Sequence, residues 1–144
     1  MIELLKIPML QIDRVDSGNI THRILADSQP HHSEIFESFT YDAFIDHHPK
    51  IKEEDVPSVD IRPRYGSNST ILTEYLHGAG IKPSMRLATA PLYAIKTDTA
   101  NFERGCIVED VTQFRYSFRY TNKNLLNKIE KSELHVNDRR RESE

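Results

Sequence analysis

The chain has one cysteine, Cys106, no tryptophan and only five glycines among its 144 residues. A single cysteine excludes an internal disulfide bond and is typical of a reducing compartment, so we expect a cytoplasmic location. No apolar run approaches the roughly 18 residues that a membrane-spanning helix needs, so we expect no membrane partner. The first residues also lack the basic, apolar and small-residue order of a secretory signal.

Net charge is also low, with a formal value of −3 from 19 basic and 22 acidic residues. Such a balance argues against salt-dependent binding of long polynucleotides through their phosphate backbone. Short oligonucleotides and nucleotide phosphates are not excluded by this argument. The one dense cluster of charge lies at residues 137–144, where the mixed signs predict a disordered, solvated tail.

The rest of the chain, residues 1–136, is predicted to form one α/β domain. Three short apolar segments that are typical of strands are 23–27, 41–46 and 58–62. Helical apolar spacing is found in a first segment that ends near Pro8 and then at 65–80, 84–97, 109–120 and 122–134. Pro91 is expected to disturb its helix, because an interior proline removes a hydrogen bond and costs about 3 kcal/mol. Strands followed by helices predict a mainly parallel sheet flanked by helices.

The strongest chemical pattern is Asp46-His47-His48, at the end of the second predicted strand. Histidine supplies a neutral nitrogen ligand, and a neighbouring carboxylate can fix its tautomer or bind the metal itself. Open α/β sheets bind ligands at strand ends. Asp27 and Asp98 also follow apolar segments, so these groups could meet in a site for metal-assisted hydrolysis. The alternatives are a turn-forming Asp27 and a helix-end Asp98.

Two weaker patterns accompany the first. Residues 66–70, Gly-Ser-Asn-Ser-Thr, open a predicted helix, where backbone N–H groups and the helix dipole attract phosphate. An ordinary helix N-cap uses the same residues, so the pattern leaves both interpretations open. Arg62 and Arg64 could neutralise a phosphate or face water. A second histidine pair, His31-His32, lies in a polar loop and is predicted to face solvent.

Five blocks of the sequence together resemble the DHH phosphoesterase family, in its oligoribonuclease and phosphoadenosine-phosphate phosphatase branch. The blocks are 25–30 (LADSQP), 44–49 (FIDHHP), 60–76 (DIRPRYGSNSTILTEYL), 92–99 (LYAIKTDT) and 121–130 (TNKNLLNKIE). They follow the family's order and cover nearly the whole chain. The resemblance implies a partial Rossmann-like DHH domain and a hydrolase of phosphate esters that uses two manganese ions.

The resemblance also implies a role for each matching residue. Asp27, His47 and Asp98 would be metal ligands, with Asp27 bridging the two ions. His48 would contact the scissile phosphate, and Asp46 would orient the histidines. The residues beside the substrate phosphate would be Arg62, Gly66 and Ser67.

The sequence differs from the DHH family in two respects, and both affect the activity that we expect. The family's first motif, a histidine and an Asp-x-Asp pair before Asp27, is not found in this chain, and neither is its small C-terminal domain. We therefore expect ligands for one manganese ion instead of two. The chain should then be a weakly active or inactive hydrolase of short oligonucleotides or nucleotide phosphates.

Another interpretation is a non-catalytic fragment that binds a metal or a nucleotide. A missing interior strand would leave an exposed sheet edge, which could join an upstream fragment or a second copy of the chain. A chain without any function is the third interpretation.

Overall fold

Three short parallel strands and a set of helices make up the fold, which confirms the predicted α/β class. The computed structural model describes residues 1–53 and 55–141, with side chains for 1–16, 18–53 and 55–132. The strands are β1 (Ile24–Ala26), β2 (Ala43–Asp46) and β3 (Ser58–Ile61). β2 lies in the centre and pairs in parallel with both neighbours. Each strand falls within a segment that the sequence predicts.

The first helix precedes the sheet along the chain, the second lies between β1 and β2, and the others follow β3. The helices are α1 (Ile2–Leu5), α2 (Glu34–Glu37), α3 (Asn68–Gly78), α4 (Met85–Asp98), α5 (Val108–Phe118) and α6 (Lys123–Arg141). Short 3-10 turns occur at Ile12–Arg14, Ser17–Asn19 and Pro30–His32. The four long helices coincide with predicted segments. Within the part of the chain that the structure describes, no helix combines the length and apolar character needed to cross a bilayer.

The core lies between the helices and continues onto the sheet. Leu5 of α1 packs with apolar residues of α4 and α6, among which Leu92 and Ile129 are fully buried. α3 packs on β2, where Ile71 and Phe44 are buried. Each such side chain contributes about 1.5–3 kcal/mol through burial.

α4 continues past Pro91, so the disturbance expected from the sequence does not end the helix. Leu92 and Ile95, which follow the proline in the helix, are both fully buried. Their burial offsets the cost of about 3 kcal/mol for an interior proline.

α6 continues to Arg141, beyond the predicted boundary between domain and tail at residue 136. The backbone of 137–141 is therefore helical. The side chains of the tail and all of residues 142–144 lie outside the described residues. A disordered end stays a prediction for them.

β1 forms one edge of the sheet, and an apolar groove of about 790 Å³ lies beside it. Ile12, Ile24 and Ile35 line the groove, and each is about 61–62% exposed. An unpaired strand edge flanked by apolar side chains is a surface to which a further strand can add. The exposed edge expected from the sequence is thus present among the described residues.

The loop between β3 and α3 is held at Gly66. Its N–H donates to the two carboxylate oxygens of Asp110 at 3.0 and 3.2 Å. Asp110 is fully buried and also accepts from Thr70 Oγ1 at 2.5 Å and from the N–H of Ile107 at 2.9 Å. A Cβ at position 66 would lie 2.6 Å from Thr99 Cγ2. Glycine is required here because the backbone and these side chains approach so closely.

We predict that Gly66→Ala lowers the free energy of unfolding by about 1–3 kcal/mol, because the added methyl group overpacks the loop. Gly78→Ala is the matched control: its Cβ would meet nothing within 4 Å, and Gly78 is the last residue of α3. The free energy of unfolding of Gly78→Ala should equal or exceed that of the wild type, since alanine stabilises a helix by up to about 1 kcal/mol relative to glycine. Urea unfolding measures both effects. Equal stability of Gly66→Ala and wild type would contradict the packing described.

Candidate metal centre

The carboxyl ends of β1 and β2 lie side by side because the two strands are parallel and in register. Asp27 follows β1 directly, and Asp46 is the last residue of β2. His47 and His48 come next along the chain. The structure thus brings the first two predicted segments to one edge of the sheet, as the sequence indicates.

Asp27 lies in a turn whose backbone is held tightly. Its φ of 60° is in the left-handed region, which aspartate tolerates better than most residues. Its N–H donates to the carbonyl of Ile45 at 2.9 Å. With its amide oriented to satisfy both groups, Asn68 accepts from the same N–H at 3.0 Å and donates to the same carbonyl at 3.2 Å. The backbone is fixed while the carboxylate stays 61% exposed.

His47 is the most enclosed of the candidate ligands, with a side chain 18% exposed. Its Nδ1 lies 3.1 Å from the carbonyl oxygen of Tyr65. A carbonyl only accepts, so Nδ1 carries the proton and the lone pair of the neutral ring is on Nε2. Nε2 lies 3.4 Å from Asp27 Oδ1. In the protonated ring Nε2 can donate to Asp27, and this hydrogen bond raises the pKa of His47 against the effect of burial, while the charge of Asp98 adds to the increase.

Asp46 is fully buried and holds the residues around it through both carboxylate oxygens. Oδ1 accepts from His48 Nδ1 and from the N–H of His47, each at 2.8 Å. Oδ2 accepts from Gln29 Nε2 at 2.8 Å. Burial acts to raise the pKa of Asp46, but the hydrogen bonds from Gln29 and His48 outweigh it and lower the pKa. The geometry suits the orienting role that the resemblance implies for Asp46.

Asp27, His47 and His48 can together bind a metal ion. Each offers one ligand atom, and these atoms lie within 4.8 Å of one another. One carboxylate oxygen and two imidazole nitrogens form a mixed set that suits a divalent transition-metal ion. Three protein ligands leave further positions open for water or substrate, as catalytic metal sites require. The donor chemistry therefore fits the expected cofactor.

Asp98, the third predicted metal ligand, falls outside this group of atoms among the described residues. It lies at the end of α4, where its Oδ2 accepts from Ser67 Oγ at 2.6 Å. Its charge adds to the increase in the pKa of His47, of which the hydrogen bond with Asp27 is the largest cause. His48, for which the sequence predicts a phosphate contact, belongs to the group instead. A ligand role for Asp98 stays a prediction.

Two of the predicted phosphate-binding residues already have protein partners. The N–H of Gly66 donates to Asp110 and is not directed at solvent. Ser67 is fully buried and donates to Asp98, while its Oγ accepts from the N–H of Ser69 at 3.1 Å as the N-cap of α3. The helix-cap interpretation of this segment is therefore the one that the structure supports. Phosphate contacts by these residues stay a prediction.

Arg62, the third predicted phosphate contact, is engaged by two carboxylates. Its Nε and Nη2 donate to the two oxygens of Asp60 at 2.7 and 2.8 Å, and Nη1 donates to Glu74 at 2.5 Å. Its positive charge is thus compensated within the protein. A phosphate would have to displace one of these carboxylates. The hydrogen bonds from Arg62 also lower the pKa of Asp60, although burial opposes the change.

We predict that Asp60→Asn lowers the free energy of unfolding at neutral pH by about 1–2 kcal/mol, because it weakens a charge-assisted, partly exposed pair. The folded pKa of Asp60 lies below its ordinary value of 3.8. Its contribution is therefore complete above the unfolded pKa and is lost as pH falls through the folded pKa.

Urea unfolding at neutral and acidic pH measures the difference in the free energy of unfolding between the wild type and Asp60→Asn. This difference should be constant near neutral pH and become smaller only in acid. Glu53→Gln, at an exposed ion pair whose glutamate is 90% exposed, is the control and should change stability little at any pH. A difference that grows in acid would contradict the direction of the pKa shift.

Sequence reasoning missed the residues that support the ligands. They are Gln29, Tyr65, Asn68 and Asp110. Their contacts join residues that are 17–44 positions apart, and local patterns do not reveal such contacts. Only Asp110 had a local signal, since it is the third residue of α5, where an acidic side chain caps a helix.

The second histidine pair lies closer to the site than its loop suggests. His32 is exposed, as predicted, but its ring centroid is 5.6 Å from that of His48. His32, Asp46 and His48 form a second group of potential ligand atoms within 4.8 Å. His32 Nδ1 already accepts from the N–H of Gln29 at 3.2 Å. One of its two nitrogens is therefore in use.

Comparison with solved structures shows that the fold is DHH-like. The chain resembles the crystal structure of a candidate family II inorganic pyrophosphatase from Methanococcus jannaschii, with a TM-score of 0.58 and 22% sequence identity. The similarity covers 67% of this chain and 35% of the other. Family II pyrophosphatases belong to the DHH superfamily. At this identity, the similarity establishes the fold alone.

In sequence, the chain is similar to the uncharacterized protein MJ1633 of Methanocaldococcus jannaschii. The two are 34% identical over 134 residues, which are 93% of this chain and 28% of that protein. The chain thus spans less than a third of the length of this relative. It matches no protein-family model.

Proposed function

We propose that this chain is a metal-dependent phosphoesterase domain. The observation that supports it is the convergence of Asp27, His47 and His48 at the carboxyl edge of a DHH-like sheet. Manganese is the proposed ion, since the resemblance to DHH phosphoesterases implies it. The proposed substrates are short oligonucleotides or nucleotide phosphates. The name of the structural relative adds pyrophosphate to these candidates.

The position of each residue indicates its role in this proposed function. When bound, a divalent ion supplies a water of lowered pKa and neutralises charge on the phosphoryl oxygens. His47 would present Nε2 to it, because Nδ1 is committed to the carbonyl of Tyr65. His48 is held by Asp46 through Nδ1, which leaves its Nε2 without a hydrogen-bond partner among the described residues and able to join the ion as the third ligand. Its side chain is 48% exposed, so substrate can reach it.

We predict that the chain binds manganese and that His47→Ala and Asp27→Asn each weaken the affinity by at least about tenfold, since even supporting residues of metal sites have effects of 10–100-fold. Isothermal titration calorimetry measures the affinity. His22→Ala is the control, because that side chain is 76% exposed and belongs to neither group of ligands. Absence of manganese uptake by the wild type would refute the metal site.

We predict weak turnover, because the group formed by Asp27, His47 and His48 provides for one ion and two-metal hydrolysis clamps both reacting oxygens. The turnover is measured, with manganese present, as the release of phosphate or nucleotide from pyrophosphate, phosphoadenosine phosphate and a dinucleotide. His47→Ala should abolish the turnover. Activity that survives His47→Ala would be evidence against the proposed site. Wild-type activity at the rate of an ordinary enzyme, about 1–1000 per second, would contradict the expected weakness but not the phosphoesterase function.

The alternative function is a non-catalytic metal- or nucleotide-binding module that joins an upstream fragment or a second copy of the chain. The apolar groove beside β1 favours it, because Ile24 is exposed at an unpaired strand edge. Manganese uptake without turnover would support this alternative, together with self-association that Ile24→Glu weakens. Ile51→Glu is the control, since Ile51 is 75% exposed and does not line the groove. Sedimentation velocity separates these outcomes.

A further inference from the structure

The turn after β3 contacts the candidate ligand His47 through the carbonyl oxygen of Tyr65. That oxygen lies 3.1 Å from His47 Nδ1. Asp27 Oδ1 lies 3.4 Å from the other ring nitrogen, Nε2, and could accept a proton from it, so the carbonyl of Tyr65 is needed to hold the proton of neutral His47 on Nδ1. If the oxygen moved away, the proton could move to Nε2, and a protonated nitrogen cannot bind a metal. The position of Tyr65 therefore controls the ligand state of His47.

Arg62 holds one end of this turn. Its N–H donates to the carbonyl of Asp46 at 2.9 Å and so continues the pairing of β3 with β2. Its own carbonyl accepts from the N–H of Tyr65 at 3.0 Å. Its side chain then folds over the turn: Nη1 donates to the hydroxyl of Tyr65 at 3.1 Å, and the guanidinium centre lies 5.1 Å from the centroid of the Tyr65 ring. Arg62 thus holds Tyr65 through backbone, ring and hydroxyl.

Glu74 of α3 closes the arrangement from the opposite side. Its Oε1 accepts from the hydroxyl of Tyr65 at 3.1 Å, and its Oε2 accepts from Arg62 Nη1 at 2.5 Å. The side chains of Arg62 and Glu74 are only 29% and 24% exposed, so water competes little for these bonds. A charge-assisted pair of this kind has a defined geometry. The helix, the turn and the sheet are joined at this point.

We propose that Arg62 and Glu74 are positioning residues for the metal ligand His47. They hold Tyr65 so that its carbonyl keeps the proton of neutral His47 on Nδ1 and leaves the lone pair of Nε2 available to a metal ion. The proposal rests on the metal site of the proposed function. It assigns Arg62 a supporting role in place of the phosphate contact that the sequence predicts.

Two variants disturb the arrangement without altering the backbone of the turn directly. Tyr65→Phe removes the hydroxyl that Arg62 and Glu74 share and keeps the ring and the carbonyl. Glu74→Gln keeps the size of the side chain but replaces one acceptor by an amide donor beside Arg62. Glu53→Gln is the matched control, because it removes the same charge from an exposed ion pair with Lys50. Circular dichroism verifies that each variant is folded.

The test is the tautomer of neutral His47 in the metal-free protein, read by long-range proton–nitrogen NMR and assigned with His47→Ala. In the wild type and in Glu53→Gln the proton should be on Nδ1. In Tyr65→Phe and Glu74→Gln the population with the proton on Nε2 should rise. Calorimetry should then show manganese affinity reduced by up to about tenfold in these two variants, the lower end of the effect of outer-shell partners.

A wild-type His47 with its proton on Nε2 would overturn the proposal, and so would unchanged tautomers in both folded variants. Loss of folding in Glu74→Gln leaves the decision to Tyr65→Phe, which is the milder change. A tautomer shift in a protein that takes up no manganese would keep the positioning role and refute the metal site. The two failures are therefore distinguishable.

Discussion

The site depends on the hydrogen bonds of one buried carboxylate, that of Asp46. A fully buried charge is costly unless hydrogen bonds satisfy it, so the chain must bring donors to both of its oxygens. The side chain of Gln29 comes from the loop after β1, while the ring of His48 and the N–H of His47 come from the segment after β2. Satisfying one charge thus fixes both loops at the carboxyl edge of the sheet. The exposed candidate ligands, Asp27 and His48, lie beside these hydrogen-bonded loops.

A second buried carboxylate, Asp110, acts in the same way on the helical side. It accepts from Gly66, Thr70 and Ile107, and so joins the start of α5 to the loop that leads into α3. Asn68, at the start of α3, in turn holds the backbone at Asp27. Buried polar groups with complete hydrogen bonding make such connections specific. Asp27, the candidate ligand at the end of β1, is therefore supported by a helix that begins more than 40 residues further along the chain.

The site separates its supporting residues from the residues that meet solvent. Asp46 and Asp110 are fully buried, whereas Asp27 and His48 are roughly half or more exposed. This arrangement suits a site that takes an ion and an anionic substrate from solution. Arg62 does not fit the simple picture of a basic residue waiting for phosphate, since Asp60 and Glu74 already compensate its charge. Its contacts are with the turn that supports His47.

The sequence by itself determined the strands, the long helices and the meeting of Asp27 with His47 and His48. Local apolar periodicity defines the elements, and parallel strands must end at a common edge. Only the tertiary structure decided the partners of Asp98, Ser67 and Arg62, for which a role in binding metal or phosphate was expected. A side chain that can bind a ligand can equally bind a protein group, and the packing of distant segments decides which one it meets. The buried partners Gln29, Asn68 and Asp110 belong to this second kind, because their contacts form only when the sheet and the helices pack together.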